Sequence, residues 1–321
     1  MINYFNSYVG FLKKFFDVRR PLKVVFDCSN GTVGLVASKL KIKNLELKII
    51  NARPDGNFPA HGPNPMVAGA LKQLQKTVLK NKADLGAIFD ADGDRVFFVD
   101  NHGRLVDSDA IAYLLIWYFN VKKAMVDVRT GWLVKKIVKK ELNVKIIESR
   151  VGHYFMKKMM RREKLEFGAE RSGHYYFKKF FYLDSGLMAA IEVINAVSKL
   201  PYSLADFADL LPAFYNAGEV NFKFNGNMKN IIAALRRKYG KAAQRISRLD
   251  GITMEFKDRF ASRSFALSSE TPREKLGEGW WFNIRFSNTE PLLRLNLETQ
   301  NKDDLQKHFH QIKTLIDSLA H

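Results

Sequence analysis

Cysteine is almost missing from this chain: Cys28 is the only one in 321 residues. A lone thiol rules out an internal disulfide framework and suits a reducing compartment, the cytoplasm. Long apolar runs are missing as well. The longest, Ala110 to Phe119, falls well short of the ~20 residues a membrane helix needs. The N-terminus, Met1-Ile2-Asn3-Tyr4-Phe5, has neither the basic start nor the small-residue cleavage site of a secretory signal. Acidic residues are scarce beside basic ones, 33 against 52, for a net charge of +19. Such an excess attracts polyanions, and two readings compete: a nucleic-acid surface, or a phosphorylated small molecule on a generally basic protein. The basic residues are scattered. Clusters such as Lys157-Lys158 with Arg161-Arg162, or Lys135-Lys136 with Lys139-Lys140, recur at helical spacing, which a solvated helix face also explains. No recognised nucleic-acid motif accompanies them, so nucleic acid is not an expected partner.

What is present is a chain of two or three domains' length. Hydrophobic residues make up 46% and charged ones 26%, as in an ordinary globular protein. Strand-like runs at Leu22 to Phe26, Leu45 to Ile50, Leu85 to Phe89, Ala124 to Val128 and Val144 to Ile147 alternate with amphipathic helical stretches. That alternation predicts an α/β fold: two three-layer α/β/α domains with mainly parallel sheets, at about 20–118 and 119–212. After Pro212 the pattern changes to strands at Val220 to Phe224, Ile252 to Phe256, Trp280 to Phe286 and Leu292 to Leu297, with a closing helix from Lys302 to Leu319. This predicts a smaller α+β domain over 213–321 with a mainly antiparallel sheet. Ser262 to Gly279 reads as a long polar loop. Four of nine prolines fall between Arg53 and Pro65, a stiff connection expected to deliver the chain to a helix near Met66. Tyr4 to Phe16 reads as an aromatic-rich amphipathic helix, within a linker over 1–19, whose partner the sequence does not name.

Three loops carry chemistry. In Asp90-Ala91-Asp92-Gly93-Asp94-Arg95, carboxylates at alternating positions between two apolar strands can converge on a hard cation, magnesium or calcium. An EF-hand starts similarly, but its sixth position needs glycine and is Arg95, and its twelfth needs glutamate and is Asn101. Gly168-Ala169-Glu170-Arg171-Ser172-Gly173-His174 places Glu170 and Ser172 to hydrogen-bond vicinal hydroxyls; a plain turn between strands is the competing reading. Arg285-Phe286-Ser287-Asn288-Thr289-Glu290-Pro291 suits a phosphate monoester: a guanidinium fork with hydroxyls and an amide beside it.

These loops, in this order, resemble those of the α-D-phosphohexomutases, the phosphomannomutase/phosphoglucomutase group, with their DGDGDR, GEMSGH-type and RxSNTxP-type loops. Pro54-Asp55-Gly56-Asn57-Phe58-Pro59 and Asp27-Cys28-Ser29-Asn30-Gly31 are similar to stretches of that family's second domain. The resemblance implies that Asp90, Asp92 and Asp94 hold Mg²⁺ and that Arg95 sits beside the reacting phosphate. Glu170 and Ser172 would grip two sugar hydroxyls, and Arg285, Ser287, Asn288 and Thr289 the non-reacting phosphate. His153, in Val151-Gly152-His153, resembles a family Gly-His pair that faces the substrate; a structural histidine is the competing reading. The chain departs from the pattern at several points. Ala91 and Ala169 replace glycines, and Arg171 adds a charge beside the sugar loop. Arg129 stands where many relatives carry lysine; it keeps the charge but cannot act as a neutral proton carrier.

The family's first domain supplies a serine, phosphorylated at rest, in a Ser-His-Asn-Pro context. No such sequence occurs in these residues. The chain starts where that domain would hand over to the second, and Tyr4 to Phe16 resembles the linker. The resemblance implies Mg-dependent phosphoryl transfer between the 1- and 6-positions of a hexose phosphate, with a hexose 1,6-bisphosphate as activator or intermediate and a separately supplied phosphoserine domain as partner. The alternative is a phosphosugar-binding relative without turnover.

Overall fold

The computed structural model describes residues 4–224, 226–257, 278–287 and 290–319. The first sheet contains β1 (Leu22–Asp27), β2 (Leu45–Ile50), β3 (Leu85–Phe89), β4 (Val96–Asp100) and β5 (Leu105–Val106), in the order β2-β1-β3-β4-β5. β1 pairs parallel with β2 and β3, then β4 and β5 continue antiparallel. The second sheet repeats the wiring. It has β6 (Lys123–Asp127), β7 (Lys145–Ser149), β8 (Phe167–Ala169), β9 (Tyr175–Phe177) and β10 (Leu183–Asp184), in the order β7-β6-β8-β9-β10. Each sheet is therefore mixed: a parallel three-stranded centre extended on one side by an antiparallel pair. Strands β3 and β4 are buried along their whole length, because helices cover both faces and a near-continuous apolar run is what such strands require.

The helix Lys72–Asn81 covers one face of the first sheet, seating Leu74 and Val78 over Val25, Ile88 and Val99. It starts later than the helix expected near Met66. Residues 65–71 form turns instead, and Gly69 sits at φ +90°, outside helical geometry. The other face meets the helix Gly186–Lys199, buried along all but its last residue and in contact with β3 and β4. That helix also packs on Ser108–Phe119. The sequence pattern grouped Ser108–Phe119 with the first unit, but it packs on the π-helical stretch Leu133–Val138 of the second, and one hydrophobic core runs through both.

The N-terminal helix ends at Lys13 and does have a partner. Val9 and Leu12 enter the shared core, and Phe11 stacks on Phe181 at 6.0 Å. Asn195 clamps the segment beyond, accepting from Asp17 N at 2.7 Å and donating to Phe15 O at 2.7 Å.

The third sheet contains β11 (Tyr215–Lys223), β12 (Arg245–Ser247), β13 (Ile252–Phe256), β14 (Trp280–Phe286) and β15 (Leu292–Thr299). It is antiparallel throughout, in the order β11-β15-β14-β13-β12. Helices Met228–Tyr239 and Lys302–Asp317 bury Ile231, Leu235, Ile312 and Ile316 in a separate core with Phe282 and Leu295. The stretch read as a loop over Ser262 to Gly279 lies outside the described residues except for Glu278 and Gly279.

Candidate active site

The repeated wiring puts equivalent loops at equivalent places. Asp90–Arg95 joins β3 to β4, and Glu170–His174 joins β8 to β9. The two are stitched together: Arg95 and His174 form a β-bridge, Val96 N donates to Gly173 O at 3.1 Å, and Gly186 N donates to Gly93 O at 2.9 Å. The turn after β1 supports the first loop from below. Thr32 N donates to Ala91 O at 2.9 Å, and a Cβ on Gly31 would lie 2.3 Å from that oxygen, so only glycine fits. Ala91 itself has no positive φ, which is why alanine serves there.

Asp90, Asp92 and Asp94 each offer an oxygen within 4.8 Å of the others. Asp90 anchors the loop, accepting from Gly93 N at 3.0 Å, Arg95 N at 3.2 Å and Arg95 Nε at 2.6 Å. Burial, joined by the charge of Asp94, pushes its carboxyl up to about 6 despite Arg95. Burial also pushes Asp94 up, but the hydrogen bond and charge of His174 outweigh it and hold Asp94 at about 2. An oxygen-only set of three carboxylates, one of them raised chiefly by burial, fits a hard divalent cation.

Glu170 is buried, and both its oxygens are engaged: Oε1 accepts from Gly152 N at 2.9 Å and Oε2 from the Tyr176 hydroxyl at 2.6 Å. Ser172 Oγ accepts from Arg129 at 3.2 Å and lies 3.0 Å from His174 Nδ1. Arg129 is fixed by Asp127 at 2.6 Å and faces Glu170 at 3.7 Å and Glu219 at 3.5 Å. Burial favours its neutral form, but the carboxylates around it prevail and hold it firmly cationic. His153 opens the helix His153–Glu163, more than half exposed, with Nδ1 3.1 Å from Asp184.

From the third sheet come Arg285 and Arg294, directly opposite each other on β14 and β15. Like charges in that register repel unless an anion joins them. Glu219 on β11 does so, at 2.9 Å from Arg285 and 3.0 Å from Arg294. Burial raises the Glu219 carboxyl, but Arg129, Arg285 and Arg294 together hold it below its usual range. Ser287 N donates to Leu292 O, closing the start of the loop. Asn288 and Thr289 lie outside the described residues.

One cavity of about 200 Å³ is lined by Arg129, His153, Glu170, Ser172, Arg285 and Ser287. A neighbouring one of about 640 Å³ shares Arg129 and Ser172 and adds Arg95 and Glu219. The described residues that sequence reasoning singled out therefore converge on one cleft or, for the three aspartates, on the loop bridged to it. Sequence reasoning missed Glu219, Asp127, Tyr176 and Asp184, and it did not assign His174 a role. The first four stand outside any motif. His174 closes the β8–β9 loop, and its pairing with Asp94, which raises the histidine and lowers the aspartate, is visible only in three dimensions.

The structure thus sets a carboxylate triad and a pair of arginines about a cleft between two α/β units of like wiring and an antiparallel C-terminal unit. Profiles described as phosphoglucomutase/phosphomannomutase match the chain along its length: α/β/α domain II over residues 5–103, α/β/α domain III over 107–214 and the C-terminal domain over 219–315. The chain belongs to the phosphoglucomutase/phosphomannomutase family. It is 32% identical over 315 residues to a phosphomannomutase of Methanocaldococcus jannaschii, covering 96% of this chain and 65% of that protein. It thus spans just under two thirds of that relative. Its fold matches a phosphoglucomutase/phosphomannomutase family protein of Burkholderia thailandensis with a TM-score of 0.80 at 23% identity, over 99% of this chain and 65% of that one. An N-acetylphosphoglucosamine mutase of Aspergillus fumigatus, solved with GlcNAc-6P and magnesium, matches with a TM-score of 0.66 at 13% identity, over 99% and 66%.

Proposed function

We propose that this chain is the substrate-handling part of a phosphohexomutase, interconverting the 1- and 6-phosphates of a hexose. The observation that carries the proposal is the convergence of the Asp90–Arg95, Glu170–His174 and Arg285–Ser287 segments on one cleft. Arg285 and Arg294 bind the phosphate that does not react, with Ser287, Asn288 and Thr289 completing the cradle. Glu170 and Ser172 orient the sugar hydroxyls. Arg95 and Arg129 place permanent positive charge where the transferred phosphoryl group gains negative charge. Arg129 does not move protons, because Asp127 and its other acidic neighbours hold it cationic. His174 suits that role better. Burial lowers it, but Asp94 and Glu170 outweigh burial and raise it, which favours the proton-carrying form. Asp90, Asp92 and Asp94 would hold Mg²⁺, the ion named in the Aspergillus fumigatus complex, which neutralises phosphoryl charge when bound.

Turnover also needs a phosphoserine donor, and no Ser-His-Asn-Pro occurs in these 321 residues. That observation favours one alternative, a phosphosugar binder without turnover. The two separate by experiment. The chain is combined with a family phosphoserine domain and Mg²⁺, and mannose 1-phosphate and glucose 1-phosphate are followed by ³¹P NMR. Conversion to the 6-phosphates that is lost in Asp92→Asn supports the mutase. Binding without conversion supports the alternative, and conversion retained in Asp92→Asn refutes the metal role.

A further inference from the structure

Beside the aspartate triad lies a second cluster with different donors. Asp94, His153, His174 and Asp184 offer ligand atoms that all lie within 4.8 Å of one another. They come from four separate elements: the β3–β4 loop, the first turn of the helix His153–Glu163, the β8–β9 loop and β10. His174 Nε2 is 3.5 Å from Asp94 Oδ1, and His153 Nδ1 is 3.1 Å from Asp184 Oδ2. Two separate hydrogen-bonded pairs would account for each short distance. They do not account for all four ligand atoms lying within 4.8 Å of one another, with the two imidazole ring centres 5.4 Å apart.

We propose that these four residues form a second cation site, selective for a borderline transition-metal ion such as zinc. Two imidazole nitrogens and two carboxylate oxygens make a tetrahedral set that zinc accepts and magnesium does not prefer. Ligand atoms around tetrahedral zinc stand about 3.4 Å apart, so no pair needs to close by more than about 1.4 Å on binding. His153 is free to make that move, since its side chain is 55% exposed at a helix start. The outer contacts are already in place: His174 Nδ1 lies 3.0 Å from Ser172 Oγ, and Asp184 Oδ1 is held by Lys157 at 2.9 Å. Such partners orient metal ligands and are part of a built site. Asp94 belongs to both clusters and has one carboxylate oxygen for each. His153 and His174 also line the substrate cavity, so an ion held here narrows it and, by displacing the His174 proton, takes that residue out of proton transfer.

The test titrates Co²⁺, zinc's spectroscopic stand-in, into the chain in excess Mg²⁺, which keeps the oxygen-only triad filled. One equivalent is expected to give an intense tetrahedral visible absorption that Zn²⁺ abolishes. His153→Ala, at an exposed position that leaves the fold intact, and Asp184→Asn each weaken binding at least tenfold, while Asp92→Asn leaves it unchanged. No absorption in the Mg-saturated protein overturns the proposal. So does absorption that survives His153→Ala and Asp184→Asn, or that disappears in Asp92→Asn.

Discussion

Glu170 shows how a side chain in the cleft is held ready. Its carboxylate is buried, and the Tyr176 hydroxyl is its shortest contact, at 2.6 Å. Burial, reinforced by Glu170 itself, raises the tyrosine so far that it stays a proton donor at any working pH. Tyr176→Phe strands one carboxylate oxygen. It is expected to destabilise the protein by about 1.5–3 kcal/mol, the worth of a hydrogen bond to a charged group, measured by urea unfolding. Asp109 behaves in the opposite way. It shares one guanidinium, Arg171 at 2.7 Å, with Asp107 and Glu298. Burial first, then the neighbouring carboxylates, push Asp109 up to about 7. A carboxyl raised on folding costs nothing while both states are protonated. Stability therefore falls as pH rises from about 4, the unfolded value, to about 7, by at most about 1.4 kcal/mol per pH unit. Asp109→Asn removes that slope while its amide oxygen still accepts from Gly131 N. Unfolding titrations at pH 5 and pH 8 are expected to show a smaller difference in the variant than in the parent.

At the level of elements, the repeated wiring provides its own control. In the first sheet Lys23 on β1 stands opposite Glu46 on β2, an oppositely charged pair. At the matching corner of the second sheet Lys123 stands opposite Lys145, and both are exposed. Like charges in direct register are unfavourable, so Lys145→Glu is expected to stabilise by about 0.2–1 kcal/mol, more at low salt, measured as a shift in thermal midpoint. The same comparison explains which elements the sequence revealed. β2, β3, β13 and β14 match their apolar runs residue for residue, because each is a bounded stretch buried or half-buried in one sheet. β5 and β10 have two residues and β12 three, too few for any periodicity to register. The helix expected near Met66 fails because Gly69 interrupts it, and the helical pattern begins only at Lys72.

On the scale of the whole molecule, the cleft depends on contacts between residues far apart in the chain. Arg171 reaches from the β8–β9 loop to Asp109 on one side and Glu298 of β15 on the other. Glu298 in turn accepts from Trp132 N at 2.8 Å and Trp281 Nε1 at 2.9 Å, tying the C-terminal unit to the second α/β unit. Arg171→Met leaves three carboxylates without their cation. The expected loss is about 3–5 kcal/mol, with chemical denaturation as the readout. This long-range wiring is the part of the site the sequence could not display. The motifs Asp90–Arg95, Gly168–His174 and Arg285–Pro291 are each contiguous in the sequence, so they are visible in one dimension. Glu219 meets Arg285 across 66 positions, and Asp184 meets His153 across 31, and neither sits in a motif.

The central claim is that the Arg285–Arg294 cradle and the Glu170–Ser172 loop bind one phosphosugar in one cleft. Calorimetric titration of glucose 6-phosphate into the chain, with Mg²⁺ present, tests it most directly. The account predicts saturable binding that unphosphorylated glucose does not reproduce. Arg285→Ala should weaken it by about 10- to 100-fold, the worth of a charged hydrogen bond to phosphate, and Ser172→Ala should weaken it less. Equal affinity for glucose and glucose 6-phosphate, or full binding in Arg285→Ala, would contradict the account.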